Sequence, residues 1–303
     1  MKQYSTVNAV LHDPDNGASP AAIVLQSLGV RSLRRARTPE ALGECCADRL
    51  IDLVIFDHDA APNNLVVWLR RLRTKRVGTN PFAIVIALAS DTSPQTIRQL
   101  INAGVDHVVR KPFPTETLAA TIQAYTQSRK PFSTSCTYVG PTRRAASRDL
   151  ADARGLTHVP NTLRAKVVEE MDEGDLVRRV NQASAWLEDS LIEAHAARLV
   201  RLAGTLTRPD PAQAPEETLD EIATLVMELR RRIGQALSPQ LDNLLGLLSS
   251  FIGRRDDRDA LARDPRLVEK LTQAIERAVR VEKDSIELMG EIVHTIVSSD
   301  PCA

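Results

Sequence analysis

Between residues 7 and 126 the sequence alternates between two hydrophobic periods, a pattern that few folds accommodate. Val7-Asn8-Ala9-Val10-Leu11 is a short, mostly apolar run ending in His12-Asp13, and Leu53-Val54-Ile55-Phe56 ends in Asp57. Ala83 to Leu88 and Val105 to Val109 are further runs of strand length. Runs this apolar suit parallel strands buried on both faces. Ser32 to Ala36 is rich in arginine and suits only an edge. Helical patterns lie between the strands. Pro20 to Leu28 gathers Val24, Leu25 and Leu28 on one side, and Leu65, Trp68, Leu69 and Leu72 advance by threes and fours. Gln95 to Ala103 and Glu116 to Tyr125 complete the set. The expectation is an α/β domain over residues 1–127, built on a doubly wound, five-stranded parallel sheet.

After Tyr125 the character changes. Residues 128–160 contain Pro131, Gly140, Pro141 and many Ser, Thr and Arg residues, which reads as a linker. Residues 161–303 read as an all-helical domain with no strand. Asn161 is placed to cap a helix beginning at Thr162, Gly174 marks an interruption, and the pattern resumes from Asp175 to Leu202. Arg208 to Pro215 is a proline-rich loop, followed by helices over Glu217 to Ala236, Pro239 to Ile252 and Pro265 to Val297. In the last of these, Leu267, Leu271, Ile275, Ala278, Val281, Ser285, Met289, Ile292 and Ile296 form a stripe with one polar member. That stripe needs a partner surface, in its own bundle or on a second subunit.

Composition excludes several classes. Lys+Arg and Asp+Glu are both 39, so no net field steers the chain onto nucleic acid, and at 3% aromatic residues base stacking is not expected. No apolar run reaches membrane-spanning length, and Met1 to Ser5 lacks the build of a secretory signal, so a cytoplasmic protein is expected. Cys45, Cys46, Cys136 and Cys302 form no CxxC pair and read as reduced thiols. No phosphate-binding GxxxxGK[ST] loop, nucleophile elbow or zinc motif occurs, and no enzyme is expected.

Three polar features fall at strand ends: Asp13 after the first, Asp57 after the third, and Lys111-Pro112-Phe113 after the fifth. In a doubly wound sheet the carboxyl ends of the strands form the ligand crevice. Two carboxylates there can share a magnesium ion with a phosphate, and a lysine opposite can pair with the phosphoryl group. With Val10-Leu11-His12-Asp13, Asp52 to Asp57, Ala103-Gly104-Val105-Asp106 and Arg110 to Phe113 in this order and spacing, residues 5–127 resemble the CheY-like receiver domains of two-component response regulators. The resemblance implies that Asp57 is the phosphoacceptor, that Asp13 and Asp57 are carboxylates for Mg2+, and that Lys111 senses the phosphate. It also implies a sensor histidine kinase as partner and a Lys111–Pro112 bond that is often cis.

The sequence departs from that family's pattern at several places. His12 stands where receivers usually carry a second acid, and a neutral imidazole is a poor magnesium ligand. Ala89 falls where the family places Thr or Ser, with Ser90 beside it; Val108 replaces the aromatic of the fifth strand; Pro62 sits one place later than usual. Tyr138-Val139-Gly140-Pro141-Thr142-Arg143-Arg144 reads as a tight turn followed by two cations. The expected function is a signalling protein in which a degenerate receiver regulates a helical region that binds a protein partner, forms a homodimer, or does both. One alternative is phosphotransfer through His195 or His294. Against it, Leu199 stands where phosphotransfer domains place a glycine, and Thr295 replaces the acid that follows the histidine in kinases. A second is a transcriptional regulator acting through Arg230-Arg231-Arg232, though no helix-turn-helix pattern follows.

Overall fold

A computed structural model describes residues 4–14, 19–143, 156–207, 215–233, 239–253 and 266–281. It divides into two compact units, Met1–Trp186 and Leu187–Ala303. In the first, strands Asn8–His12 (β1), Ser32–Ala36 (β2), Leu53–Asp57 (β3), Ile84–Ala89 (β4) and His107–Arg110 (β5) form one sheet in the order β2-β1-β3-β4-β5. All neighbours are parallel. The arginine-rich β2 lies at the edge, as its composition requires.

Helices Pro20–Ser27 (α1), Pro39–Ala47 (α2), Pro62–Arg73 (α3), Pro94–Ala103 (α4) and Thr115–Gln127 (α5) connect the strands. Proline opens α1 to α4, where its fixed φ suits the first turn. The side chains of Thr38 and Ser93 cap α2 and α4. One face of the sheet packs with α1 and α5 around Leu11, Leu25, Ile55, Ile86 and Ile122. The other packs with α2, α3 and α4 around Val54, Phe56, Trp68, Leu69 and Leu100. This is the doubly wound five-stranded sheet expected from the alternating periods.

The segment read as a linker carries structure. Phe132–Ser135 (β6) and Tyr138–Pro141 (β7) form an antiparallel hairpin, and Leu156–Thr157 (β8) pairs with the outer edge of β6. Its anchor is a buried ionic knot. Asp106, whose side chain is fully buried, accepts from Arg73 Nη2 at 2.7 Å and from Arg129 Nε at 2.9 Å. The two guanidinium carbons lie 5.2 and 4.6 Å from the centroid of the Phe132 ring. Gly104, at φ +96°, makes the close approach: a Cβ there would sit 2.6 Å from the Val139 carbonyl oxygen.

Beyond the hairpin, Asn161 caps Thr162–Val167 (α6) through its Oδ1, which accepts from Arg164 N at 3.1 Å. Leu163 and Val167 belong to the core of the α1/α5 face, so α6 completes the first unit. The chain breaks at 168–172 and resumes as Glu173–Thr207 (α7), with Gly174 in its first turn. Pro215–Ile233 (α8), Pro239–Gly253 (α9) and a helix over 266–281 follow, and no strand occurs after Asn161 among the described residues. The second unit packs around Leu199, Ile222, Val226, Leu245, Leu248, Val268 and Ile275. Arg144, the loop over 208–214, Ser285, Met289, Ile292, His294, Ile296 and Cys302 lie outside the described residues.

Candidate functional site

Register brings the sequence-predicted residues together. His12 of β1 pairs with Phe56 of β3, so Asp13 and Asp57 leave adjacent strands side by side. Lys111 follows β5 and its amide bonds the carbonyl of Ala89, the last residue of β4. Lys111 Nζ then reaches across the carboxyl edge of the sheet and donates to Asp57 Oδ1 at 2.7 Å and Oδ2 at 2.8 Å. The Lys111–Pro112 peptide is cis.

A third acid joins them that the sequence reading missed. Asp59 Oδ2 lies 2.8 Å from Lys111 Nζ, and its carboxylate also accepts from the amide of Ser90 at 3.0 Å. Asp57 Oδ1 accepts from the Asp59 amide at 3.1 Å, which folds the turn Asp57-His58-Asp59 back over the strand end. Burial pushes the Asp59 carboxyl up, but the bonds from Lys111 and Ser90 outweigh it and hold it below the usual carboxylate range. For Lys111 the opposing sign holds: burial disfavours its charge, yet Asp57 and Asp59 together raise its pKa. The only signal for Asp59 in the sequence was a second acid two residues after Asp57, which is common on any solvated turn.

Asp13 takes a different partner. Arg35, from the edge strand, places Nη1 3.7 Å from its Oδ2, an oxygen that is buried and accepts no hydrogen bond. Beside it His12 is 2% exposed and its Nδ1 is unbonded. Burial lowers the His12 pKa against the raising influence of Asp57 and Asp13, so the imidazole is neutral at neutral pH.

Magnesium prefers hard anionic oxygens in octahedral array. Both oxygens of Asp57 are engaged by Lys111, Asp13 faces a guanidinium, and the remaining position is a neutral imidazole. No group of three or more His, Cys, Asp or Glu side chains is arranged to hold a metal ion among the described residues. The set does not fit a magnesium ion.

The remaining candidates fall elsewhere. Ala89 ends β4 fully buried, so the position offers no hydroxyl, and the neighbouring Ser90 uses its amide on Asp59. Val108 is partly buried against the core of the α2/α3/α4 face. Arg143 stacks on Tyr138, 3.7 Å from the ring centroid. His195 is 4% exposed on α7, its Nδ1 paired with the Leu191 carbonyl, and so is badly placed to meet a partner's aspartate. Arg230, Arg231 and Arg232 each pair with a carboxylate, of Asp242, Glu228 and Glu188 respectively. Cys45 and Cys46 are buried free thiols. No helix among the described residues is long and apolar enough to cross a membrane.

No protein-family model matches the chain, and no curated protein matches it. Solved structures do. The response regulator DrrB, a Thermotoga maritima OmpR/PhoB homologue, is 22% identical at a TM-score of 0.34, over 40% of this chain and 52% of its own, so the match spans about half of DrrB. The Vibrio cholerae chemotaxis protein CheY4 is 21% identical at a TM-score of 0.35, over 39% of this chain and 98% of its own. The receiver domain of the Pseudomonas aeruginosa sensor histidine kinase PA1611, solved with magnesium in its active-site cleft, is 20% identical at 0.35, over 41% of this chain and 100% of its own. On its own strand order, β2-β1-β3-β4-β5 with every neighbour parallel, the first part of the chain has the flavodoxin-like doubly wound fold that CheY shares.

Proposed function

We propose that this protein is a signalling module in which a degenerate receiver controls what the helical region binds. The observation that supports it is Lys111, held between Asp57 and Asp59 at the carboxyl edge of the sheet. Asp57 is the acceptor in this reading. One of its carboxylate oxygens forms a bond to the phosphorus of an acyl phosphate, and the acyl carboxylate departs with the electrons of the broken P–O bond. Lys111 then exchanges a carboxylate for the anionic phosphoryl oxygens, which frees Asp59 and the Ser90 amide. Because the acid set is incomplete, the transfer is slow and the resting, ion-paired state dominates. With a sensor histidine kinase as donor, the P–N bond of its phosphohistidine breaks instead and the imidazole departs with that electron pair; the second unit is the output. That unit also supports self-association, since Met227 and Leu247 remain 62% and 50% exposed.

Incubation with acetyl phosphate and intact-mass spectrometry test the reading. We expect a single added phosphoryl group that is absent in Asp57→Asn. Modification that persists in that variant, or none after prolonged incubation, overturns the acceptor assignment. Light scattering tests the assembly: a homodimer is expected for the full chain, and a monomer at micromolar concentration excludes it.

A further inference from the structure

Within the first unit, an open groove of about 590 Å3 runs between the segment around α6 and the start of α7. That size lies inside the range of roughly 300–1,000 Å3 typical of small-molecule sites. Its walls carry His158, Arg164, Arg179, Gln182 and Trp186. One carboxylate lines it, Glu169, and that group is already bonded to Arg164 Nε at 3.0 Å.

The groove is built rigidly on one side. Arg164 Nη1 donates to the Gln127 carbonyl at 2.7 Å, and Asn161 Nδ2 to the Tyr125 carbonyl at 2.7 Å, so this wall is fixed to the end of α5. On the same helix, Lys166 pairs with Asp52 at 2.9 Å, both side chains buried. The facing wall is one stripe of α7. Leu176, Arg179, Ala183 and Trp186 advance by three, four and three, which stacks them on a single helix face. Arg179 is exposed and has no ion-pair partner among the described residues. Trp186 is only half-buried and lies two helical turns beyond Arg179 on the same face, so an aromatic ring and a cation line one wall.

We propose that this groove binds a small planar anion: a heteroaromatic or aryl ring carrying a phosphate or carboxylate. The ring stacks on Trp186, and Arg179, backed by the anchored Arg164, pairs with the anionic group. The inference does not rest on the reading of Asp57.

Isothermal titration of the full-length protein with AMP, GMP and salicylate tests it. At least one of the three is expected to bind with Kd at or below about 1 mM. Arg179→Ala and Trp186→Leu should each weaken that binding by about tenfold or more, equivalent to about 1.4 kcal/mol. If a nucleotide binds, its nucleoside and inorganic phosphate should each bind about tenfold more weakly, since each supplies half of the recognition. Circular dichroism should show both variants folded, because neither side chain is in a core. Failure of all three probes at millimolar concentration overturns the proposal. So does binding that survives both substitutions unchanged.

Discussion

Asp57 and Lys111 show what a sequence yields at the scale of single residues, and Asp59 shows what it hides. A strand-ending acid and a Lys-Pro pair after another strand are local features, and once the strands are ordered they must meet. That Lys111 meets two carboxylates rather than one depends on a turn whose shape is set by the Asp59-to-Asp57 and Ser90-to-Asp59 bonds. The sign of each pKa shift fixes the pH behaviour. The Asp59 pKa is depressed, so its contribution to stability is present above the ordinary 3.8 and is lost as pH falls through the lower folded value. The Lys111 pKa is raised, so its contribution is complete below 10.5 and is lost as pH rises through the higher folded value. The cluster should therefore stay paired from about pH 5 to 9. Carbon NMR should find the Asp59 carboxyl titrating below 3.8, and Lys111→Met should move it upward. An unshifted carboxyl in the unmodified protein contradicts the geometry. At His12 the expectation concerns affinity. Replacing a neutral, buried imidazole by a carboxylate adds a hard anionic donor beside Asp13, so His12→Asp should bind magnesium more tightly than the parent. Equal or weaker binding by calorimetry shows that the imidazole is not what limits the site.

At the scale of elements, periodicity found the five strands, four of the five helices between them, and the edge position of β2. It did not mark α2, whose glycine and adjacent cysteines blur its apolar face, and it misread residues 128–160 for a clear physical reason. Ser, Thr, Gly and Pro are linker residues by composition, but this hairpin is held by groups far away in the chain: Arg73 at the end of α3, Gly104 after α4, and Asp106 before β5. No window of neighbouring residues contains that knot. The family-like stretch Ala103-Gly104-Val105-Asp106 thus has a structural task here, seating the hairpin. Burial pushes the Arg73 pKa down to about 10 against the pull of Asp106, a measure of how dry the knot is. Asp106→Ala would leave two buried guanidiniums without their shared carboxylate, and breaking such pairs costs about 3–5 kcal/mol. At about 2–4 °C per kcal/mol, the melting temperature of the first unit should fall by roughly 10 °C. A fall of less than about 3 °C would show that the hairpin is held by something other than the ionic knot.

At the scale of the whole molecule, the sheet domain extends past its last sheet-covering helix. The change of composition after Tyr125 places the end near 127, which suits a domain of ordinary length, but the packing carries the first unit to Trp186. Two features of α6 decide this. Leu163 and Val167 fill the core of the α1/α5 face, and Lys166 neutralises Asp52, which is buried at the start of β3 and also accepts from the Asn8 amide at 2.8 Å. Burial raises the Asp52 pKa, with Lys166 and Asn8 opposing, so losing the lysine leaves that carboxylate without its counter-ion. A fragment of residues 1–160 loses the contacts of Leu163, Lys166 and Val167 and keeps the Asn8–Asp52 bond, whereas one of residues 1–186 keeps them all. Each buried aliphatic side chain contributes about 1.5–3 kcal/mol and the broken pair costs about 3–5, so the shorter fragment should be less stable by more than about 5 kcal/mol. That is a large share of the roughly 5–15 kcal/mol that stabilises a domain. The 1–160 fragment should therefore melt more than 10 °C lower, by about the same conversion, or fail to fold, while 1–186 melts cooperatively. Asp52→Asn in the shorter fragment removes the stranded charge and should recover part of the loss. Equal melting temperatures for the two fragments would return the boundary to the end of α5 and make α6 a passenger on the sheet domain.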